Sequence, residues 1–301
     1  MLLTIFLSLV LELLIAAAFF AVPAALFAQS RLRSGPRARF WLPLAAVGLA
    51  AGLLLPPVGV VVLAMITSGL LLDYGVRRRW DWRAVSLIGG APIMPLAWSV
   101  LAPLDRPEVL DLWVERYRAS MDGMMSGFPG DAGQEEQFFE TLRSTLELTG
   151  RLAPSLTLLT GLTLGVVALG LGLWWLRRRG EDPGLRFPAF CMWNMPEQLS
   201  WLAGAAFLAA LTAPGPLLEA AYNVLLLLAI LYSIQGLAVA WYGFEVRGTP
   251  GWARGLFVAA VIVTHLLGMA MLAVLGLLET WVPFRAHMAE AAMGGPDEED
   301  R

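Results

Sequence analysis

Leu217–Tyr242, LLEAAYNVLLLLAILYSIQGLAVAWY, is the stretch that decides what kind of molecule this is. It carries one charge, Glu219, and as a helix rising 1.5 Å per residue it reaches about 39 Å. A bilayer's hydrocarbon core is about 30 Å thick, so this run is long enough to cross it. The rest of the chain has the same character. Of 301 residues, 58% are hydrophobic and 15% charged, where soluble domains have roughly 45–50% and about 25%. The composition predicts an all-α integral membrane protein with a single membrane domain.

Working outward, seven more apolar segments appear, at 2–28, 41–55, 58–72, 84–101, 152–176, 199–211 and 255–278. With 217–242 they predict eight transmembrane helices, or seven if the short 199–211 does not cross. Only Pro56-Pro57 separates the second segment from the third, which predicts a tight hairpin of two short helices. Gly89-Gly90, Pro92 and Pro95 break the fourth from within. The N-terminal MLLTIFLSLVLELL has no basic n-region and is not expected to be a cleaved signal.

All 21 basic residues are arginine. Arginines near span ends are retained on the cytoplasmic side. Fourteen of the 21 fall in alternate loops: 31, 33, 37 and 39; 77, 78, 79 and 83; 177, 178, 179 and 186; 247 and 254. Eight spans with both termini outside would produce that alternation. The intervening 103–151 loop holds ten acids against five arginines, and the tail at 286–301 is acidic. Within the loop, Leu110, Trp113, Tyr117, Met121 and Met124 recur at helical spacing. A break at 127–133, GFPGDAG, precedes a second stripe of Phe138, Phe139, Leu142 and Leu146. This predicts two amphipathic helices, either lying on the outer membrane face or closing over an outward cavity.

Several chemistries are excluded or unsupported. A net charge of −3 offers no basic footprint for nucleic acid. Cys191 is the only cysteine, so an internal disulfide and a cysteine-built metal site are excluded. No G-x-x-x-x-G-K-[ST] loop, G-x-S-x-G elbow or H-E-x-x-H pair occurs. His265 and His287 lack a second ligand at metal spacing. The sequence therefore predicts no enzyme, cofactor or metal.

Polar groups at membrane depth are the remaining candidates, because they cost roughly 2.5–3.5 kcal/mol at a span centre unless they face a cavity or a partner. Gln235 is deep in its segment and suits an interhelical hydrogen bond or a ligand contact. His265 lies inside the last segment beside Thr264, and Glu12 lies in the first. Glu219, Tyr222 and Asn223 share one face at i, i+3 and i+4. Ala17, Ala21 and Ala25, four apart, would let another helix approach closely.

The hinge of the chain is Phe187–Leu202, FPAFCMWNMPEQLSWL, with five apolar segments before it and three after. Trp193 and Trp201 fit an aromatic belt, and Asn194, Pro196, Glu197 and Gln198 fit a helix start. Together they also place a polar cluster where a short helix meets the membrane.

Three motifs taken in order carry a family resemblance. They are Phe190-x-x-Trp193-x-x-Pro196, Tyr232-Ser-Ile-Gln235-Gly236-Leu237-Ala238, and Leu275-Gly276-Leu-Leu-Glu279-Thr-Trp281-x-x-Phe284-Arg285. The chain resembles the YybS-like family of bacterial multi-pass membrane proteins, with Glu279 where that family has Asp. The resemblance extends distantly to the substrate-binding S components of energy-coupling-factor transporters, and to a scaffold of the rod-shape machinery. It implies a bacterial cytoplasmic membrane protein that binds a small solute while other subunits supply energy. Ala17, Ala21 and Ala25 would dock on a transmembrane coupling subunit. On residue chemistry alone, Trp193, Asn194, Glu219, Gln235 and His265 are expected to line or gate such a cavity. The other expectation is a non-transporting scaffold for cell-envelope proteins.

Overall fold

The computed structural model describes residues 20–32, 41–44, 46–48, 50, 56–125, 132–182, 184–185 and 187–292. Among them there is no strand; the described chain is helices and their connections. It divides into two compact units, Met1–Phe187 and Pro188–Arg301, parted at the start of the FPAFCMWNMPEQLSWL hinge.

In the first unit, residues 20–32 are helical (α1), followed by α2 (Pro56–Arg77), α3 (Trp82–Gly90) and α4 (Met94–Leu101). A 3-10 turn, Ala91–Ile93, interrupts α3 and α4 where Gly89-Gly90 and Pro92 weaken the helix. Then come α5 (Pro107–Met125), α6 (Ala132–Arg151) and α7 (Ala153–Arg178). Glycine allows α3 and α7 to pack backbone against backbone, since a Cβ at Gly90 would land on the Gly161 carbonyl. The core above this crossing is Phe27, Leu72, Val76, Val85, Leu169 and Leu173, all buried. Ser68 Oγ donates to the Gly89 carbonyl, tying α2 to the break.

The 103–151 stretch forms the two helices α5 and α6. Arg143 pairs with Asp111 at 2.8 Å, and Arg118 lies over the Phe139 ring at 4.4 Å. Leu110 and Phe139 are buried, so the stripe residues of α5 and α6 partly cover one another.

The second unit holds α8 (Gln198–Thr212), α9 (Pro216–Val246), α10 (Gly251–Thr264), α11 (Leu266–Glu279) and α12 (Phe284–Ala292). Helices α9 and α11 meet at two glycines. A Cβ on Gly236 would strike the Leu272 carbonyl, and one on Gly276 the Tyr232 carbonyl.

At the arginine-bearing helix ends, guanidinium groups cover aromatic rings. Arg178 lies 4.4 Å from Trp174, Arg78 5.3 Å from Tyr74, and Arg254 5.6 Å from Trp241. Aromatic rings with cations folded over them are the chemistry of a membrane–water boundary.

The expectation of eight transmembrane helices, or seven, needs correction. Four described helices are long and apolar enough to cross: Gly59–Arg77, Trp82–Asp105, Ala153–Arg178 and Pro216–Val246. Gly251–Thr264 and Leu266–Glu279 meet at 115°, so 255–278 is not one rod. Among the described residues that makes four candidate spans, or five if the bent pair is one span. The reason is local: His265 has φ 46° and ψ −108°, which no α-helix accommodates. Gln198–Thr212 is apolar but only 15 residues, about 22 Å. Most of 2–28 and part of 41–55 lie outside the described residues, as does 293–301 of the acidic tail. The earlier part of that tail is the helix α12.

Candidate functional site

Gln235, Glu279 and Arg285 of the second unit converge on one place, and the extended hinge segment is its centre. After the 3-10 turn Phe190–Met192 the chain runs extended, with Trp193 at φ −67° and ψ 130°. Extended backbone cannot satisfy its own polar groups, so they need outside partners. Gln235 supplies one: its Oε1 accepts from the Met195 N–H at 2.7 Å. Its Nε2 donates to the Gly276 carbonyl at 2.8 Å. The side chain is fully buried. One amide therefore joins the hinge strand, α9 and α11.

Arg285 completes the arrangement. Its Nη2 donates to the Trp193 carbonyl at 2.7 Å, and its Nε lies 3.5 Å from Glu279 Oε1. Glu279 Oε2 accepts from the Phe284 N–H at 2.9 Å, closing the turn between α11 and α12. Burial pulls the Arg285 guanidinium below its usual range, while Glu279 beside it works to restore it. Phe190 packs edge-on to Trp193 at 5.4 Å and to Trp241 at 6.4 Å. Cys191, in the same 3-10 turn, is buried. Burial pushes its thiol up, the Glu245 carboxylate pushes it further, and Arg285 opposes both.

The five expected cavity residues separate. Trp193 and Gln235 belong to this junction, where Trp193 contributes its carbonyl. Asn194 is exposed on the hinge strand. Glu219 is exposed in the first turn of α9, sixteen residues before Gln235 and so about 24 Å along the helix. His265 is exposed at the α10–α11 bend. Tyr222 is exposed, and the Asn223 amide donates to the Glu219 carbonyl at 3.0 Å.

On the alanine face, Ala24 and Ala28 are buried in the first unit's core, whereas Ala21 is exposed and Ala25 half-buried. Ala17 and Glu12 lie outside the described residues.

Sequence reasoning missed Glu279 and Arg285 as working residues, although both stood in the third motif. Asp73 was also missed because it lies just past an apolar segment. It is buried, and its Oδ2 pairs with Arg77 at 2.5 Å. The i, i+4 spacing of acid and arginine on α2 could have flagged the pair.

Apolar helices of crossing length, arginine-capped aromatic ends and glycine-mediated helix contacts define a polytopic helical membrane protein. The family described as "Predicted membrane protein (DUF2232)" matches residues 1–280, and this chain belongs to it. No curated protein and no solved structure matches the chain.

Proposed function

We propose that the chain is a non-transporting scaffold or assembly factor in a bacterial cytoplasmic membrane, without enzymatic activity of its own. Gln235 carries this reading. It is the deepest polar side chain of the second unit, and both ends of its amide bond to main chain of the same unit. A ligand-reading glutamine would keep an end open toward a cavity. Here it fastens the hinge, α9 and α11, and beside it Arg285 and Glu279 fasten the hinge, α11 and α12. A frame of this kind would hold the helix faces of the second unit in fixed places for cell-envelope proteins, and the α5–α6 pair of the first unit offers exposed rings of its own at Trp113, Tyr117 and Phe138. Photo-crosslinking from Trp113 or Phe138 positions in intact membranes tests this. The reading expects discrete, reproducible protein adducts, and no adduct beyond lipid would defeat it.

One observation favours a second reading, an S-component-like binder of a small solute with energy supplied by other subunits. Each unit contains an interrupted apolar helix, at Ala91–Ile93 and at His265. Paired discontinuous helices are the hallmark of transporter sites. A co-purifying small molecule, or a thermal shift with a vitamin and metabolite panel, would favour this reading over the scaffold.

A further inference from the structure

We infer that α10 and α11 form a re-entrant hairpin, entering and leaving the membrane on the arginine-bearing face, so that α12 lies on the same side as the 247–250 loop.

The angle is the first argument. A bend of 115° exceeds a right angle, so α11 heads back toward the face from which α10 came. Each helix has 14 residues, about 21 Å, short of a core about 30 Å thick.

The packing of the exit is the second argument, and it is independent of the angle. Helix α10 starts five residues after α9 ends, at the α9 C-terminal end. The chain leaving α11 returns to that same end. A Cβ at Gly243 would lie 3.1 Å from Met288 Sδ of α12. Arg285 holds the Trp193 carbonyl on the hinge strand, whose Phe190 ring lies 6.4 Å from Trp241. Gly243 is 27 residues beyond Pro216, about 40 Å along the helix. A crossing pair would instead deliver α12 near Pro216.

The tip agrees with immersion in lipid. Ile262 is 66% exposed, Val263 82%, Leu266 78% and Leu267 65%. Such a cluster in water would be a large apolar patch, whereas in a leaflet it is ordinary. The backbone at the bend is internally bonded: His265 N–H donates to Val261 at 3.0 Å, and its carbonyl accepts from Met269 at 3.0 Å. His265 thus leaves neither of its own backbone groups open. Arg247 and Arg254 mark the entering face as the retained side. The eighth apolar segment is then not a crossing, and α12 belongs to the arginine side.

Single-cysteine labelling of the full-length protein tests the inference. Starting from Cys191→Ser, one cysteine is placed at Ala292, Gly251, Pro214 or Val263 and treated with a membrane-impermeant maleimide in intact cells and inverted vesicles. Labelling after denaturation serves as the control for each variant. Expected is that Ala292→Cys follows Gly251→Cys, that both oppose Pro214→Cys, and that Val263→Cys stays unlabelled from both sides. Ala292→Cys following Pro214→Cys would overturn the inference, as would Val263→Cys labelling from the Pro214 side.

Discussion

At the scale of single residues, the second unit is governed by groups that must not be left unsatisfied in an apolar setting. Arg285 is the clearest case, because its guanidinium serves both the Trp193 carbonyl and the Glu279 carboxylate. Replacing it with leucine orphans both. A hydrogen bond to a charged group contributes about 1.5–3 kcal/mol, so Arg285→Leu should lower stability in detergent by about that much. Arg285→Lys should recover only part, since a single ammonium does not match the planar fork. Thermal unfolding of the purified variants measures both effects. Cys191 gives a second prediction. Its thiol is buried and its pKa raised, first by burial and then by Glu245. At neutral pH the folded protein should therefore keep the thiol protonated and react slowly with iodoacetamide, and it should react at the free-thiol rate once unfolded. Fast native alkylation would contradict the packing around Phe190 and Trp193.

At the scale of elements, two glycines and one histidine set the geometry. Gly276 sits where α11 touches the Tyr232 carbonyl of α9, so even a methyl group must push the helices apart. Overpacking of this kind costs about 1–3 kcal/mol. Gly276→Ala should destabilise by about that amount, whereas Gly204→Ala, in open space on α8, should raise stability by about 0.5–1 kcal/mol. His265 works the other way. Its φ of 46° with ψ −108° is a conformation that suits glycine, and strain there is worth about 1–3 kcal/mol. His265→Gly should raise the melting temperature, with about 1 kcal/mol left after glycine's own entropy cost. A fall would mean that the imidazole contributes to the bend. These elements also show what the sequence could and could not convey. Apolar length revealed α2, α7 and α9, and Gly89-Gly90 with Pro92 revealed the break before α4. The α10–α11 bend left no such trace, because no glycine or proline occupies position 265. After the bend, α11 is tied to α9 by Ser233 Oγ, which donates to the Met269 carbonyl at 2.9 Å.

At the scale of the whole molecule, the three motifs that carry the family resemblance serve one junction. Trp193 lends its carbonyl, Gln235 its amide, and Gly276, Glu279 and Arg285 close it. The motifs were legible as words, but their joint meaning was not, because residues forty and more positions apart meet only once α9 and α11 pack. For the same reason depth alone left Gln235 open between an interhelical bond and a ligand contact: a buried amide looks alike in sequence whether it faces a solute or a backbone. Its exchange for alanine separates the two most directly. Gln235→Ala orphans the Met195 N–H and the Gly276 carbonyl, each worth about 1–3 kcal/mol when buried. With about 2–4 °C lost per kcal/mol, the apparent melting temperature in detergent, with no solute added, should fall by roughly 5 °C or more. An unchanged melting temperature, with a difference appearing only when a solute is supplied, would contradict the account.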